Sequence, residues 1–316
     1  MRILILGAGG IGGYFGARLQ QAGADVTFLV RPARARVLQD HRLRVHSALG
    51  DVQVTPELQT AVGDGDHFDL VLLSCKAYDL DSAIEAITPA IGPHSVIVPL
   101  LNGIAHLEPL DARFGRERVA GGLAHLALTM DETGSIRHLN ATQRLVIGTR
   151  TPPAAPALLW LGNFIEHLSP DYTVSTDIEQ DMWDKLVFIS VLAGATCLMR
   201  ASIGDMMETR SGRRLVEDML DEGARIAAAS GRAPSGGRMD AYRAQLTEAG
   251  STLTASMLRD VLRGAPTEAG HIFGDLTRRA DMAALPSPLL DLALSHLQAY
   301  EMARLRRSSP NAEGTP

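Results

Sequence analysis

The first twelve residues, MRILILGAGGIG, contain a glycine pattern that can hold a phosphate. Gly7, Gly9 and Gly12 form a G-x-G-x-x-G motif between an apolar segment, residues 2–6, and an amphipathic segment, residues 11–22. Such a motif needs a strand before it and a helix after it. The first glycine permits a sharp turn, the second lets the backbone approach a pyrophosphate, and the third lets the helix pack closely on the strand. We predict a dinucleotide-binding loop rather than the alternative, a glycine-rich turn in another kind of α/β protein.

A basic residue follows the second predicted strand, residues 25–30. Arg31 stands where NAD-specific folds usually place an acid for the ribose hydroxyls. An arginine suits a 2′-phosphate instead, because its charge and its fork of donors match the phosphate oxygens. Arg34 and Arg36 lie close enough in sequence to assist. The pattern therefore favours NADPH over NADH, and the alternative is a solvated basic loop.

Two further apolar strands, predicted over residues 68–75 and 95–101, end at Lys76 and at Asn102. In an open parallel sheet, ligands bind beyond the carboxyl ends of the strands. Gly7, Arg31, Lys76 and Asn102 all fall at such ends. We expect them to lie along one edge of the sheet.

The predicted secondary structure changes from strands to helices near the middle of the chain. Residues 119–129, 135–139 and 143–149 are predicted to extend the sheet with antiparallel strands. Helical patterns follow, with Thr176 and Glu179 forming a capping-box signature before a long apolar helix. We predict an α/β Rossmann-type N-terminal domain over residues 1–170 and an all-helical C-terminal domain over residues 171–316, with a disordered tail from about residue 306. The ligand site is expected in the cleft between the two halves.

Composition excludes several classes of function. The formal net charge of −6 gives no support for nucleic-acid or anionic-membrane binding. No uninterrupted apolar run approaches the ~20 residues of a membrane span. Cys75 and Cys197 are far apart, and the histidines show no metal-ligand spacing, so we expect no metal. We predict a cytoplasmic protein with a small-molecule substrate, no nucleic-acid or membrane partner, and a possible homodimer.

Several short motifs together resemble one family. They are Gly7 to Gly12, Lys76-Ala-Tyr, Asn102-Gly103, Trp183-Asp-Lys185-Leu, and Ser256-Met-Leu-Arg-Asp with Thr267-Glu268. In order and spacing, from Met1 to roughly Arg304, the chain resembles the ketopantoate reductases (2-dehydropantoate 2-reductases). The resemblance implies NADPH-dependent reduction of 2-dehydropantoate to pantoate, a reaction of pantothenate biosynthesis.

The resemblance also implies residue roles. Lys185 is the implied catalytic general acid. The implied cofactor-binding residues are Gly7, Ala8, Gly9, Gly10, Ile11, Gly12, Arg31, Lys76, Asn102, Ala127 and Glu268. The implied substrate-binding positions are Lys76, Asn102, Lys185, Ile189, Ala193 and Ser256.

Elementary chemistry agrees with a lysine in this role. Hydride addition to a ketone leaves negative charge on its oxygen, so the reaction needs a cation and a proton donor there. An ammonium group with an ordinary pKa of about 10.4 supplies both at neutral pH. Two alternatives stay open: Lys185 as a surface lysine on an amphipathic helix, and Glu268 as a charge that merely favours a helix N-terminus.

One departure from the family concerns the substrate. Ketopantoate reductases commonly carry asparagines four and eight residues after the lysine, where this chain has Ile189 and Ala193. Ile203 and Leu253 are also apolar at positions that can be polar in the family. Because a buried polar group without a partner costs roughly 1 to 3 kcal/mol, the pocket suits a hydroxy acid less well. The alternatives are a reductase of a more apolar 2-oxo acid or ketone, and a non-catalytic NADPH-binding redox sensor, against which the intact Lys185, Lys76 and Asn102 weigh.

Overall fold

The computed structural model describes residues 1–152, 155–168 and 171–308. The chain divides into two compact units. Unit 1 comprises Met1–Asn102 and His106–Met182, and unit 2 comprises Gly103–Ala105 and the residues from Trp183 onward. The domain boundary predicted at residue 170 lies outside the described residues. The tail predicted from about residue 306 starts too early, because the last helix continues to Ser308, and the rest of that tail lies outside the described residues.

Unit 1 alternates strands and helices from its first residues. In chain order its elements are β1 (Arg2–Leu6), α1 (Gly10–Gln21), β2 (Asp25–Leu29), α2 (Pro32–His41), β3 (Leu43–His46), β4 (Val52–Val54), β5 (Glu57–Gln59), β6 (Phe68–Leu73), α3 (Leu80–Ile87), β7 (Ile91–Pro99), α4 (Leu107–Phe114), β8 (Gly121–His125), β9 (Leu128–Met130), β10 (Ile136–His138), β11 (Arg144–Gly148), α5 (Pro156–Glu166) and β12 (Tyr172–Val174). Helix α6 (Ile178–Met199) begins in this unit and continues into unit 2.

The central sheet has five parallel strands in the order β5-β2-β1-β6-β7. Strand β1 lies in its middle, and Ile3, Leu4 and Ile5 are fully buried. A strand covered on both faces must be apolar at successive positions, which is why the segment is a continuous hydrophobic run. The predicted Rossmann-type fold of the first half is confirmed.

The prediction that later strands extend this sheet in an antiparallel manner is wrong, because among the described residues the segment meets the central sheet only through a parallel bridge between Val119 and Ile97 of β7. Strands β8, β11 and β12 form a three-stranded sheet of their own, and β9 and β10 join β3 and β4 in a four-stranded sheet. The segment predicted as one strand over residues 119–129 breaks at Leu126 and Ala127, so its two parts pair with different partners. Side-chain alternation marks a strand but does not name its neighbour.

Unit 2 is helical in the part that the structure describes. After α6 come α7 (Ile203–Met207), α8 (Gly212–Ala229), α9 (Gly236–Leu246), α10 (Ser256–Leu262), α11 (Asp275–Met282) and α12 (Pro288–Ser308). The helix predicted over residues 267–280 instead starts with a π-helical turn, Gly270–Gly274, before α11. The predicted all-helical second half is confirmed.

Helix α6 is longer than the apolar runs that the sequence suggests. Among the described residues, it is the one helix long and apolar enough to cross a membrane, although 78% of its most apolar window is buried inside the protein. The sequence reading missed this length because charged residues interrupt the first turns. Its start also differs from the predicted capping box, since Asp177 Oδ1 accepts a hydrogen bond from the backbone N–H of Gln180 at 3.2 Å.

Candidate active site

The glycine turn after β1 is held by backbone contacts. Gly7 has φ +90°, a conformation that favours glycine, and its N–H donates to the carbonyl of Leu29 at 2.9 Å. Ser74 Oγ donates to the carbonyl of Leu6 at 2.8 Å. A Cβ on Gly12 would overlap both Ser74 Oγ and the carbonyl oxygen of Gly7. Close packing between α1 and the turn therefore requires glycine at position 12.

Gly9 is the residue of the turn that faces open space. It caps the N-terminus of α1 without a side-chain hydrogen bond, and a Cβ built there would meet no atom within 4 Å. The first N–H groups of a helix attract an anion, and a missing side chain lets that anion approach. These residues fit the pyrophosphate of a dinucleotide, which agrees with the predicted role of Gly7 to Gly12.

The carboxyl ends of the parallel strands bring the other predicted residues of unit 1 to the same edge. Arg31 follows β2, Lys76 follows β6 and Asn102 follows β7, and these strands lie on either side of β1. Lys76 and Asn102 are half-buried. The expected common edge of Gly7, Arg31, Lys76 and Asn102 is present in this unit.

Ala127 also lies close to the glycine turn. It precedes β9, whose Leu128 Cβ would lie 3.3 Å from a Cβ on Gly10. The N–H of Ala127 donates to Asn140 Oδ1 at 3.1 Å, and its carbonyl accepts from the N–H of Leu139 at 2.8 Å. Neighbouring elements of the four-stranded sheet thus hold this backbone beside α1.

The three arginines near β2 have different surroundings. Arg31 is exposed, and its Nη2 donates to Asp79 Oδ1 at 2.7 Å. Arg34 donates from Nε and Nη2 to the carbonyl of Ala8 at 3.1 and 2.9 Å, and from Nη2 to the carbonyl of Gly134 at 3.0 Å. Arg36 is exposed on α2. Arg34 therefore braces the glycine turn, and the choice between a 2′-phosphate site and a solvated basic segment at Arg31 stays open.

Lys185 occupies a buried position on α6 in unit 2. Lys185 is 9% exposed. Loss of hydration lowers the pKa of its ammonium group to about 8, and the negative charge of Glu268 opposes that shift. Glu268 is buried as well, at 8% exposure. A surface lysine would keep its hydration, so the alternative of a surface role for Lys185 does not hold.

The neighbours of Lys185 along the helix are fixed by other elements of unit 2. The guanidinium of Arg279, on α11, lies 5.2 Å from the ring centre of Trp183. Asp184 is buried and accepts from Arg238 Nε, on α9, at 3.1 Å. Contacts on both flanking side chains limit rotation of the helix and so fix the direction of the lysine.

The predicted substrate positions lie along the lysine helix and at the start of α10. Ile189 is half-buried and Ala193 is buried, and they follow Lys185 at four-residue intervals, which places them on one helix face. Ser256 is exposed at the first position of α10. The N–H of the preceding Ala255 donates to Thr196 Oγ1 of α6 at 3.4 Å. The start of α10 is thereby attached to the helix that carries Lys185.

The sequence reading missed four residues that organise these regions: Ser74, Asp79, Thr196 and Arg34 in its bracing role. The composition contains a signal for the two lysine positions. Lys76 and Lys185 are the only lysines of the sequence, and every other Lys or Arg position is an arginine. Lysine can lose its proton near neutral pH when buried, and arginine cannot. A joint site formed by residues of units 1 and 2 stays a prediction, as do the individual site roles.

A parallel sheet with a G-x-G-x-x-G turn after its first strand, followed by a helical unit that buries a lysine, is the architecture of an oxidoreductase that uses a nicotinamide dinucleotide. Residues 3–152 match the family profile described as ketopantoate reductase PanE/ApbA, and residues 177–301 match its C-terminal profile. The chain belongs to the ketopantoate reductase family, which confirms the resemblance found in the sequence.

Individual relatives agree with this assignment. The chain is 36% identical over 301 residues to an uncharacterized oxidoreductase, YkpB, of Bacillus subtilis, covering 95% of this chain and 99% of the relative. The solved structure of 2-dehydropantoate 2-reductase from Geobacter metallireducens is 28% identical, with a TM-score of 0.85 and coverage of 95% and 99%. A D-mandelate dehydrogenase, solved with NADH and anilino(oxo)acetate, has a TM-score of 0.87 and coverage of 96% and 99%, but at 20% identity it shows only a shared fold.

Proposed function

We propose that the protein catalyses the NADPH-dependent reduction of 2-dehydropantoate to pantoate, with Lys185 as the proton donor. The observation that carries the proposal is the burial of this lysine, whose pKa falls to about 8 beside Glu268, in a chain of the ketopantoate reductase family. An acid is most effective when its pKa lies near the working pH. With this substrate, the protein acts in pantothenate biosynthesis in the cytoplasm, and a homodimer is its expected assembly.

The chain's own residues account for the binding and proton steps. The turn from Gly7 to Gly12 holds the pyrophosphate, and Arg31 binds the 2′-phosphate. NADPH, when bound, supplies the hydride. The Lys185 ammonium stabilises the negative charge that develops on the substrate oxygen and transfers a proton to it. The carboxylate of Glu268 favours the charged form of the lysine that this step requires.

A more apolar 2-oxo acid or ketone is the second candidate substrate. Ile189 and Ala193 favour it, because neither side chain can pair with a substrate hydroxyl, and Ala193 is buried. Two lost amide contacts at roughly 1 to 3 kcal/mol each weaken recognition of a hydroxy acid by about thirtyfold or more, at tenfold per 1.4 kcal/mol. This candidate uses the same lysine and the same cofactor.

The first experiment measures NADPH oxidation by the purified protein with 2-dehydropantoate, beside a panel of bulkier and more apolar 2-oxo acids and ketones. We expect turnover of 2-dehydropantoate that falls roughly 10²- to 10⁴-fold in Lys185→Ala, the usual contribution of a general acid. NADPH affinity should change little in the variant. Turnover of an apolar substrate alone would replace the substrate while keeping the lysine mechanism. Full biological activity in Lys185→Ala would instead support the redox-sensor alternative.

The pH profile tests the lysine directly. Only protonated Lys185 can donate, so kcat/KM for ketone reduction should stay level below pH 8 and then fall about tenfold per pH unit above the lysine's pKa, which is lowered to about 8. The pKa can also be followed by NMR after reductive ¹³C-methylation of Lys76→Arg, which leaves Lys185 as the single side-chain amine. A titration near the ordinary value of about 10.4 would contradict the assignment.

A further inference from the structure

The ion pair between Arg31 and Asp79 lies where the end of a bound dinucleotide would be recognised. Arg31 Nη2 donates to Asp79 Oδ1 at 2.7 Å, with side-chain exposures of 73% and 31%. Arg31 follows β2, and Asp79 ends a short 3₁₀ turn, Ala77–Asp79, after β6. These are the two strands that flank β1. An acid is therefore present at this edge after all, but it comes from a different strand from the one that the Rossmann pattern suggests.

The other arginines of α2 do not duplicate Arg31. Arg34 donates from Nε and Nη2 to the backbone carbonyls of Ala8 and Gly134, and loss of hydration on burial lowers the pKa of its guanidinium. Arg36 lies five residues beyond Arg31, exposed on the helix. Recognition of a 2′-phosphate thus depends chiefly on Arg31, whose charge is already partnered.

A carboxylate and a phosphate compete for the same guanidinium donors, because both form charge-assisted hydrogen bonds with it. A phosphate that binds Arg31 must displace Asp79 or share the guanidinium with it, and the two anions repel each other. A ribose hydroxyl creates no such conflict, because it can donate to a carboxylate. The Arg31–Asp79 ion pair therefore lowers the affinity for NADPH, which carries the 2′-phosphate, and does not lower the affinity for NADH.

We propose that Asp79 is a specificity-determining residue that lowers the preference for NADPH over NADH by sharing Arg31 with the 2′-phosphate. The inference rests on the proposed function, because it assumes that the cofactor binds at this edge. It gives the protein measurable affinity for both cofactors. It also makes the ratio of the two affinities adjustable at a position outside the glycine motif and outside β2.

The test compares Asp79→Asn with a matched control, Asp81→Asn. Asp81 is exposed in the first turn of α3, two residues from Asp79, so both variants remove the same charge from the same region. Dissociation constants for NADPH and NADH are measured by fluorescence titration of the full-length protein, and thermal melts verify folding. We expect Asp79→Asn to tighten NADPH binding about two- to fivefold, the upper part of the range for an exposed ion pair. NADH binding should change less than twofold, and Asp81→Asn should leave the ratio of the two constants unchanged.

Two outcomes overturn the inference. One is an unchanged ratio of the two dissociation constants in Asp79→Asn, which includes equal tightening of both cofactors. The other is an equal shift of the ratio in Asp79→Asn and Asp81→Asn, which would mean a general charge effect. The proposed function fails separately, when the wild-type protein binds NADPH but reduces none of the 2-oxo acids or ketones. In that case the ratio of dissociation constants still decides the role of Asp79. Binding of neither cofactor by the folded wild-type protein would overturn both.

Discussion

The glycine turn of unit 1 and the lysine helix of unit 2 prepare for a ligand in opposite ways. The turn presents backbone N–H groups and an empty position at Gly9, within a close-packed contact between Gly12 and Gly7. The helix instead keeps the charged Lys185 buried at 9% exposure, which costs free energy of folding because the ammonium loses hydration.

This difference shows where stability and function conflict in the molecule. In the turn, the close-packed arrangement is also the one proposed to bind the pyrophosphate, so a substitution there should lower stability and binding together, or binding alone. At Lys185, the side chain proposed for proton transfer is one that folding disfavours, so its removal should lower activity and raise stability. The following substitutions test each side of this contrast.

The largest effect is expected from two glycine substitutions that look equivalent in the sequence. Gly12→Ala places a methyl group onto the carbonyl oxygen of Gly7 and should destabilise unit 1 by about 3 kcal/mol. Gly9→Ala meets no atom within 4 Å, so its unfolding midpoint should match that of the wild type while NADPH affinity falls at least tenfold. Urea unfolding and cofactor titration measure the two properties. Equal destabilisation by both variants would show that the turn packs differently.

Replacing the lysine should stabilise the protein in a pH-dependent way. The folded-state pKa of about 8 against an ordinary 10.5 corresponds to about 3 kcal/mol of lost stability, at 1.36 kcal/mol per pKa unit. The unfolded chain holds this proton up to about pH 10.5, so the cost is complete below pH 8 and disappears as the pH rises from about 8 to about 10.5. Lys185→Met should therefore be more stable than the wild type at pH 7 and equal to it near pH 10.5, as measured by urea unfolding at each pH. A stability difference independent of pH would mean that packing, and not charge, distinguishes the variants.

The smallest effect separates two arginines of the same helix region. Arg34 holds the backbone of the glycine turn, so Arg34→Met should weaken NADPH and NADH binding to the same extent, about tenfold, by loss of hydrogen bonds to the carbonyls of Ala8 and Gly134. Arg31→Met should weaken NADPH binding by about tenfold and leave NADH nearly unchanged. Isothermal titration of both cofactors distinguishes the roles. Selective loss of NADPH in Arg34→Met would assign a phosphate contact to that residue instead.

Much of the fold was predictable because local patterns determine it. The apolar run of β1 and the spacing of glycines identify the parallel sheet without knowledge of any distant contact. The assignment of β8 to β12 to separate sheets was not predictable, since a one-strand pattern carries no information about its partner. The break at Leu126 and Ala127 illustrates this, because both residues continue the apolar run.

The candidate site was predictable where its residues belong to a local sequence motif. Gly7 to Gly12 and Lys185 belong to such patterns. The carboxyl group of Asp79 was not identifiable, because its partner Arg31 is 48 residues away in sequence. The bracing role of Arg34 was also hidden, since its acceptors are carbonyl oxygens that every residue possesses.

The contact between Arg34 and the turn at Gly134 has a consequence for how the family can vary. Gly134 has φ +79°, and a Cβ there would lie 2.5 Å from Arg34 Nη1. A chain that gains a side chain at this turn must therefore move the arginine away from its present position, while a chain that lacks the arginine has no such conflict at the turn. Across related sequences we expect positions 34 and 134, which are 100 residues apart, to change together, so that the residue at this hairpin turn indicates whether an arginine braces the glycine turn.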